Sequence, residues 1–124
     1  TSKKFMSHFE QIAKELKADL ELDKKTLVVD IGSNDGIFIE PLKKLGIKAV
    51  GVEPAKNVAN IANSKGLKTL PEFFDDSTVK KIMKTYGKAN VVTAFNVFAH
   101  NDGLKEILKN VPIYNACPRN WVRW

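Results

Sequence analysis

The chain has 124 residues and a mass of 13.9 kDa, enough for one domain with its own core and too little for a second full domain. Its 44% hydrophobic and 27% charged residues, with no apolar run near the roughly 20 residues of a membrane span, exclude the disordered and transmembrane classes. A single cysteine, Cys117, excludes a disulfide framework and a cysteine-built zinc site, and the net charge of +6 comes largely from lysines scattered in pairs without interleaved aromatics, so no nucleic-acid partner is expected.

In chain order, Phe5, Phe9, Ile12, Ala13, Leu16 and Leu20 recur at spacings of three and four, which predicts a helix with one buried stripe. The charged, amphipathic start has no apolar leader segment, and with the lone cysteine it points to a cytoplasmic location. Thr26 to Ile31 is a short β-branched run, the pattern of a strand buried on both faces. Gly32 to Gly36 is the turn after it. From Gly36 to about Leu45 the pattern predicts a helix, in which Pro41 must either kink the axis or sit in the first turn.

Lys48 to Val52 reads as a second strand, ending at Glu53-Pro54. Val58, Ala59, Ile61 and Ala62 give a helix stopped by Gly66, and Lys68 to Leu70 a brief third strand. Ser77 is the expected cap of a helix closed by Gly87, Ala89 to Phe95 is a fourth strand, and Asp102 is the expected cap of a last helix. The alternation argues for an α/β fold, an open parallel sheet with helices on both faces. The last dozen residues hold both arginines, both tryptophans and the one cysteine, so residues 113–124 read as an atypical tail beside a domain over 1–112, either of foreign origin or a real C-terminal strand in which these residues cluster by chance.

The chemistry concentrates at two strand ends. Asp30-Ile31-Gly32-Ser33-Asn34-Asp35-Gly36 follows the first strand and Glu53 the second, and in a parallel sheet such ends converge on one crevice. Glycines allow close backbone approach, and an acid at the next strand end suits vicinal ribose hydroxyls. The loop lacks the glycine spacing of a dinucleotide site and the Lys of a phosphate loop. Its acids, Asp30 and Asp35, would repel pyrophosphate and favour a cation. A ribose at one end and positive charge at the other describe S-adenosylmethionine.

These motifs, with Gly51-Val52-Glu53-Pro54-Ala55, Phe73-Phe74 and Asn96-Val97-Phe98-Ala99-His100, resemble the cofactor-binding half of class I S-adenosylmethionine-dependent methyltransferases over about residues 26–108. The likeness is greatest to sugar C-methyltransferases acting on nucleotide-linked keto-deoxysugars. The resemblance implies a Rossmann-like sheet of order 3-2-1-4, truncated after the fourth strand. It implies that Asp30, Gly32, Ser33, Asn34, Asp35 and Gly36 surround the methionine part and that Glu53, beside Pro54, binds the ribose. It further implies that Phe73 and Phe74 lie near adenine and that Asn96 and Val97 close the pocket.

The partner so implied is a small-molecule acceptor such as a nucleotide-linked sugar, with no membrane and no metal. Related enzymes add further strands, a Cys-rich zinc-binding N-terminal part and a C-terminal domain, and their sugar-site base lies beyond these residues. His100 is the only nearby candidate base. A non-catalytic module that binds an adenosine ligand is the alternative reading. The fourth strand is expected to present an open edge that promotes self-association, unless the tail folds over it.

Overall fold

The computed structural model describes residues 3–95 in full and the backbone of 122–123. The elements are α1 (Lys3–Leu20), β1 (Leu27–Ile31), α2 (Ile39–Lys44), β2 (Lys48–Val52), α3 (Lys56–Ser64), β3 (Thr69–Leu70), α4 (Asp76–Thr85), β4 (Val91–Thr93) and β5 (Val122–Arg123). The sheet is parallel, in the order β3-β2-β1-β4-β5. Its first four strands have the expected Rossmann-like order. The edge of β4, expected to stay open unless the tail covers it, is covered by the tail, Val92 pairing with Val122 and Thr93 with Arg123.

Alternation along the strands builds two cores. Val28, Ala49 and Val91 share one face by register, and there Val28 and Val91 pack with Phe9, Ala13 and Leu16 of α1 and with Phe38 and Leu42 at α2. Ile39, Ala62 and Leu67 bring α3 onto the same side. Val29, Val50 and Val92 face the opposite way, against Val79 and Ile82 of α4. Each of these aliphatic side chains contributes about 1.5–3 kcal/mol by leaving water, so the sheet is held from both faces. Phe38 and Phe95 meet edge to face at 4.9 Å, and Phe9 completes the aromatic group.

Local chemistry sets the boundaries. α1 ends at Glu21, φ +52, with the Leu22 N–H donating to the Lys17 carbonyl, and α2 and α3 close alike through Ile47 to Leu42 and Leu67 to Ala62. β3 is pinned to α3 by the Asn63 amide, which donates to the Thr69 carbonyl and accepts from its N–H, both at 2.9 Å. Asn90 aligns β1 with the start of β4, its Oδ1 accepting from the Leu27 N–H at 2.8 Å.

Several expectations are corrected. α2 begins at Ile39, because Asn34 to Phe38 are spent in turns, and Pro41 falls in its first turn, where a missing N–H breaks no helical bond. α4 is capped by Asp75, whose carboxylate accepts from the Thr78 N–H at 3.0 Å, and not by Ser77. Phe5, expected in the buried stripe of α1, lies one turn before Phe9, the first buried residue of the helix, and is 61% exposed. β1, β3 and β4 are shorter than the apolar runs that announce them. The helix expected after Asp102 lies outside the described residues. Among the described residues no helix is long and apolar enough to cross a membrane.

Candidate functional site

The site forms where β1 and β2 end. Asp30 pairs in register with Gly51 on one side and Thr93 on the other. Beyond the strand, the N–H groups of Gly32 and Ser33 both donate to the Val52 carbonyl, at 2.8 and 3.2 Å, so the loop leaves β1 still fastened to β2. It then doubles back, the Gly36 N–H donating to the Ser33 carbonyl at 3.1 Å, with Gly32, Asn34 and Gly36 at φ +69, +58 and +90. At Gly36 a Cβ would be strained by that dihedral angle and would also fall on the end of Leu67.

Glu53 joins the two elements. Its Oε1 accepts from the Asn34 N–H at 2.9 Å and its Oε2 from the Ala55 N–H at 3.0 Å, while its own N–H donates to the Leu70 carbonyl. Pro54 between them has no N–H, so Ala55 is the first donor available to the carboxylate. A carboxylate offers about four lone-pair sites, so two remain for a ligand's hydroxyls. The loop and the acid therefore face the same crevice.

Below them lies a polar floor. Asp30 is 1% exposed, with Oδ1 accepting from Thr93 Oγ1 at 2.7 Å, and its Oδ2 has no partner among the described residues. Burial pushes its carboxyl up from 3.8 to about 7, the Thr93 hydroxyl opposes that shift, and the negative charge of Glu53 adds to it. Ser33 is fully buried and its Oγ likewise has no partner among the described residues. Two orphaned polar atoms beneath a strand-end crevice are costly unless something supplies hydrogen-bond partners or positive charge. Gly51 makes the arrangement possible, since a Cβ there would fall on Ser33 Oγ and lie 2.5 Å from Ile39 Cδ1.

The other expected residues separate. Asp35 is held by Lys65, whose Nζ lies 4.0 Å from its carboxylate and donates to its carbonyl at 3.3 Å. Phe74 is 8% exposed and packs in the core with Val79 and Ile82, whereas Phe73, its neighbour in the β3–α4 loop, is 74% exposed. Asn96, Val97 and His100 lie outside the described residues. Thr93 escaped the sequence reading, and Gly51 entered it only as part of the motif at the end of the second strand, without a role of its own. Each had a signal, a glycine between two strand valines and one hydroxyl in the apolar run from Val91 to Phe95.

A family profile described as "Methyltransferase domain" matches residues 5–112. The chain is 38% identical over 85 residues to the C-methyltransferase NovU of Streptomyces niveus, covering 68% of this chain and 20% of that protein. It is 28% identical over 74 residues to a ubiquinone biosynthesis O-methyltransferase of Methylobacterium nodulans, covering 59% and 30%. This chain thus spans a fifth to a third of the length of these curated relatives.

Among solved structures, magnesium protoporphyrin IX methyltransferase of Synechocystis PCC 6803 with bound S-adenosylmethionine superposes with a TM-score of 0.56 at 19% identity, covering 74% of this chain and 44% of that one. An RNA methyltransferase from Salinibacter ruber in complex with S-adenosylhomocysteine gives 0.56 at 23% identity, covering 87% and 67%. At these identities the likeness speaks to the fold alone.

Proposed function

Because the chain belongs to the methyltransferase-domain family, we propose that its β1–β2 crevice binds S-adenosylmethionine and that the protein of which it is part transfers a methyl group to a small-molecule acceptor. The observation that carries the reading is the hydrogen bond from the Asn34 N–H to Glu53, which makes the glycine loop and the acid one surface. The fit to the cofactor rests on this chain's own donor and acceptor set. Glu53 keeps lone pairs for the two ribose hydroxyls, and the orphaned Asp30 Oδ2 and Ser33 Oγ suit a cationic, hydrogen-bond-donating methionine end. The solved relatives named with S-adenosylmethionine or S-adenosylhomocysteine support the same ligand.

When bound, the cofactor supplies an electrophilic methyl carbon on a sulfonium centre. The residues here bind and orient. Glu53 and the Gly32–Gly36 backbone fix the nucleoside and methionine ends, and the exposed Phe73 offers a ring for the adenine. Such fixing matters because alignment of the reacting atoms can contribute about 7–11 kcal/mol of barrier lowering. The likeness to a C-methyltransferase favours a carbon acceptor, and the motif resemblance suggests one of the nucleotide-linked sugar type. A carbon nucleophile requires removal of a proton beside a carbonyl, and His100 is the candidate for that step on this chain.

Calorimetric titration of the intact protein with S-adenosylmethionine, S-adenosylhomocysteine and NAD tests the proposal. The first two are expected to bind, each weakened about tenfold or more by Glu53→Ala through loss of hydrogen bonds to a charged group. Binding of NAD in their place would overturn it. Binding without transfer to any keto-sugar acceptor would favour the alternative, a non-catalytic adenosine-ligand module.

A further inference from the structure

At the opposite pole of the sheet, where the strands begin, lies a cavity of about 490 Å³ that the proposed reaction does not use. It is separated from Glu53 by the length of β2, about 16 Å at roughly 3.3 Å per residue. Its origin is a gap in the sheet. β3 pairs only with Gly51 and Val52, and the Lys68 carbonyl accepts from the Gly51 N–H, so Lys48, Ala49 and Val50 of β2 run on past the last pairing and line the cavity with Gly66, Leu67 and Lys68. The Gly51 and Glu53 N–H groups donate outward, to Lys68 and Leu70, and by the alternation of a parallel strand Ala49 directs its peptide groups the same way, into the gap.

The walls are apolar and the rim is basic. Ile39 and Leu67 line one side, Val50 and Tyr86 the other, and Lys43, Lys48 and Lys68 stand at the opening, with no carboxylate among the described lining residues. Lys68 Nζ sits 5.5 Å from the centroid of the Tyr86 ring, and Lys43 Nζ donates to the Gly66 carbonyl at 3.0 Å. Lysines in a last helical turn complement the carbonyl end of the helix, as Lys43 does for α2. Lys48 heads β2 and Lys68 precedes β3, so that role does not account for them. The size is that of a small-molecule pocket, a mostly apolar enclosure with a few polar groups that set orientation.

The geometry points to a second ligand site here, for a small amphipathic anion whose aromatic or acyl body fills the gap between β2 and Gly66–Lys68 while its acidic head meets Lys48 and Lys68. The site is independent of the cofactor proposal. The test is titration of the isotope-labelled intact protein with 8-anilinonaphthalene-1-sulfonate, followed by amide NMR shifts and by fluorescence. The uncharged N-phenyl-1-naphthylamine serves as a control.

Saturable shifts are expected at Gly46, Ala49, Gly66 and Lys68, with an affinity lowered about tenfold by the pair Lys48→Glu and Lys68→Glu and weakened by salt. Both substitutions are at exposed positions, and an unchanged melting temperature checks that the fold survives. S-adenosylhomocysteine should not displace the probe. The inference is overturned by shifts centred on residues 32–36, by equal affinity in the double variant, by equal binding of the uncharged control, or by no binding up to millimolar probe.

Discussion

Asp30→Asn isolates the most perturbed ionisable group among the described residues. The substitution keeps the shape and leaves an Oδ1 to accept from Thr93, so it removes the ionisation and little else. In the wild type the buried carboxyl titrates near 7 instead of 3.8. Below about pH 4 it is neutral in both folded and unfolded chains and has no effect on stability. Between 4 and 7 the unfolded chain releases the proton while the folded chain keeps it, which favours unfolding by about 1.4 kcal/mol per pH unit. Above 7 both states are ionised and the cost levels off at about 4 kcal/mol. Urea unfolding of both proteins from pH 4 to 8.5 reads the difference directly. The Asn variant should gain on the wild type as pH rises through that window and then run parallel to it. A difference that is flat with pH, or that grows as pH falls, would refute the assignment of Asp30 as a buried, charge-penalised carboxyl.

The same group predicts that S-adenosylmethionine binding releases protons near neutrality, because a cationic ligand draws Asp30 toward its ionised form. Affinity should rise as pH passes upward through 7, and the calorimetric heat should depend on the ionisation enthalpy of the buffer, a dependence that Asp30→Asn abolishes. Gly51→Ala should destabilise by about 1–3 kcal/mol, the cost of an added methyl that a packed neighbour must yield to, and should weaken cofactor binding because that neighbour is Ser33. Phe74→Ala should cost about 3–5 kcal/mol in denaturant unfolding as a core truncation, whereas Phe73→Ala should leave stability nearly unchanged and lower cofactor affinity. Asp75→Ala should lower the melting temperature while Ser77→Ala does not, since only Asp75 accepts from the first turn of α4.

The parts of the structure governed by short-range pattern were legible in the sequence. The short, β-branched apolar run through Val28 and Val29 reads as a strand covered on both faces, and the amphipathic spacing of Phe9, Ala13 and Leu16 reads as a helix packed on its neighbours. The convergence of the Gly32–Gly36 loop with Glu53 followed from parallel topology, which places successive strand ends together. What depended on register was hidden. Gly51 and Thr93 matter because pairing sets both beside Asp30, 21 and 63 positions away in the chain, a neighbourhood that no local motif shows. Phe73 and Phe74 looked equivalent as a dipeptide, and only the direction of the β3–α4 loop sends one into the core. The cap of α4 was misjudged because Asp75 and Ser77 are both good capping residues two positions apart, and the choice rests on where the chain turns. The pairing of β4 with Val122–Arg123 depends on a contact some thirty residues distant, which no periodicity reports.

In the proposed binding mode the loop after β1 and the carboxylate after β2 jointly hold the nucleoside end of one ligand. A crystal structure of the protein soaked with S-adenosylhomocysteine tests this. The ribose hydroxyls are expected on Glu53 and the amino-acid end over Gly32–Gly36, close to Asp30. Clear density for that ligand at another surface, with Glu53 touching only its own backbone donors, would contradict it.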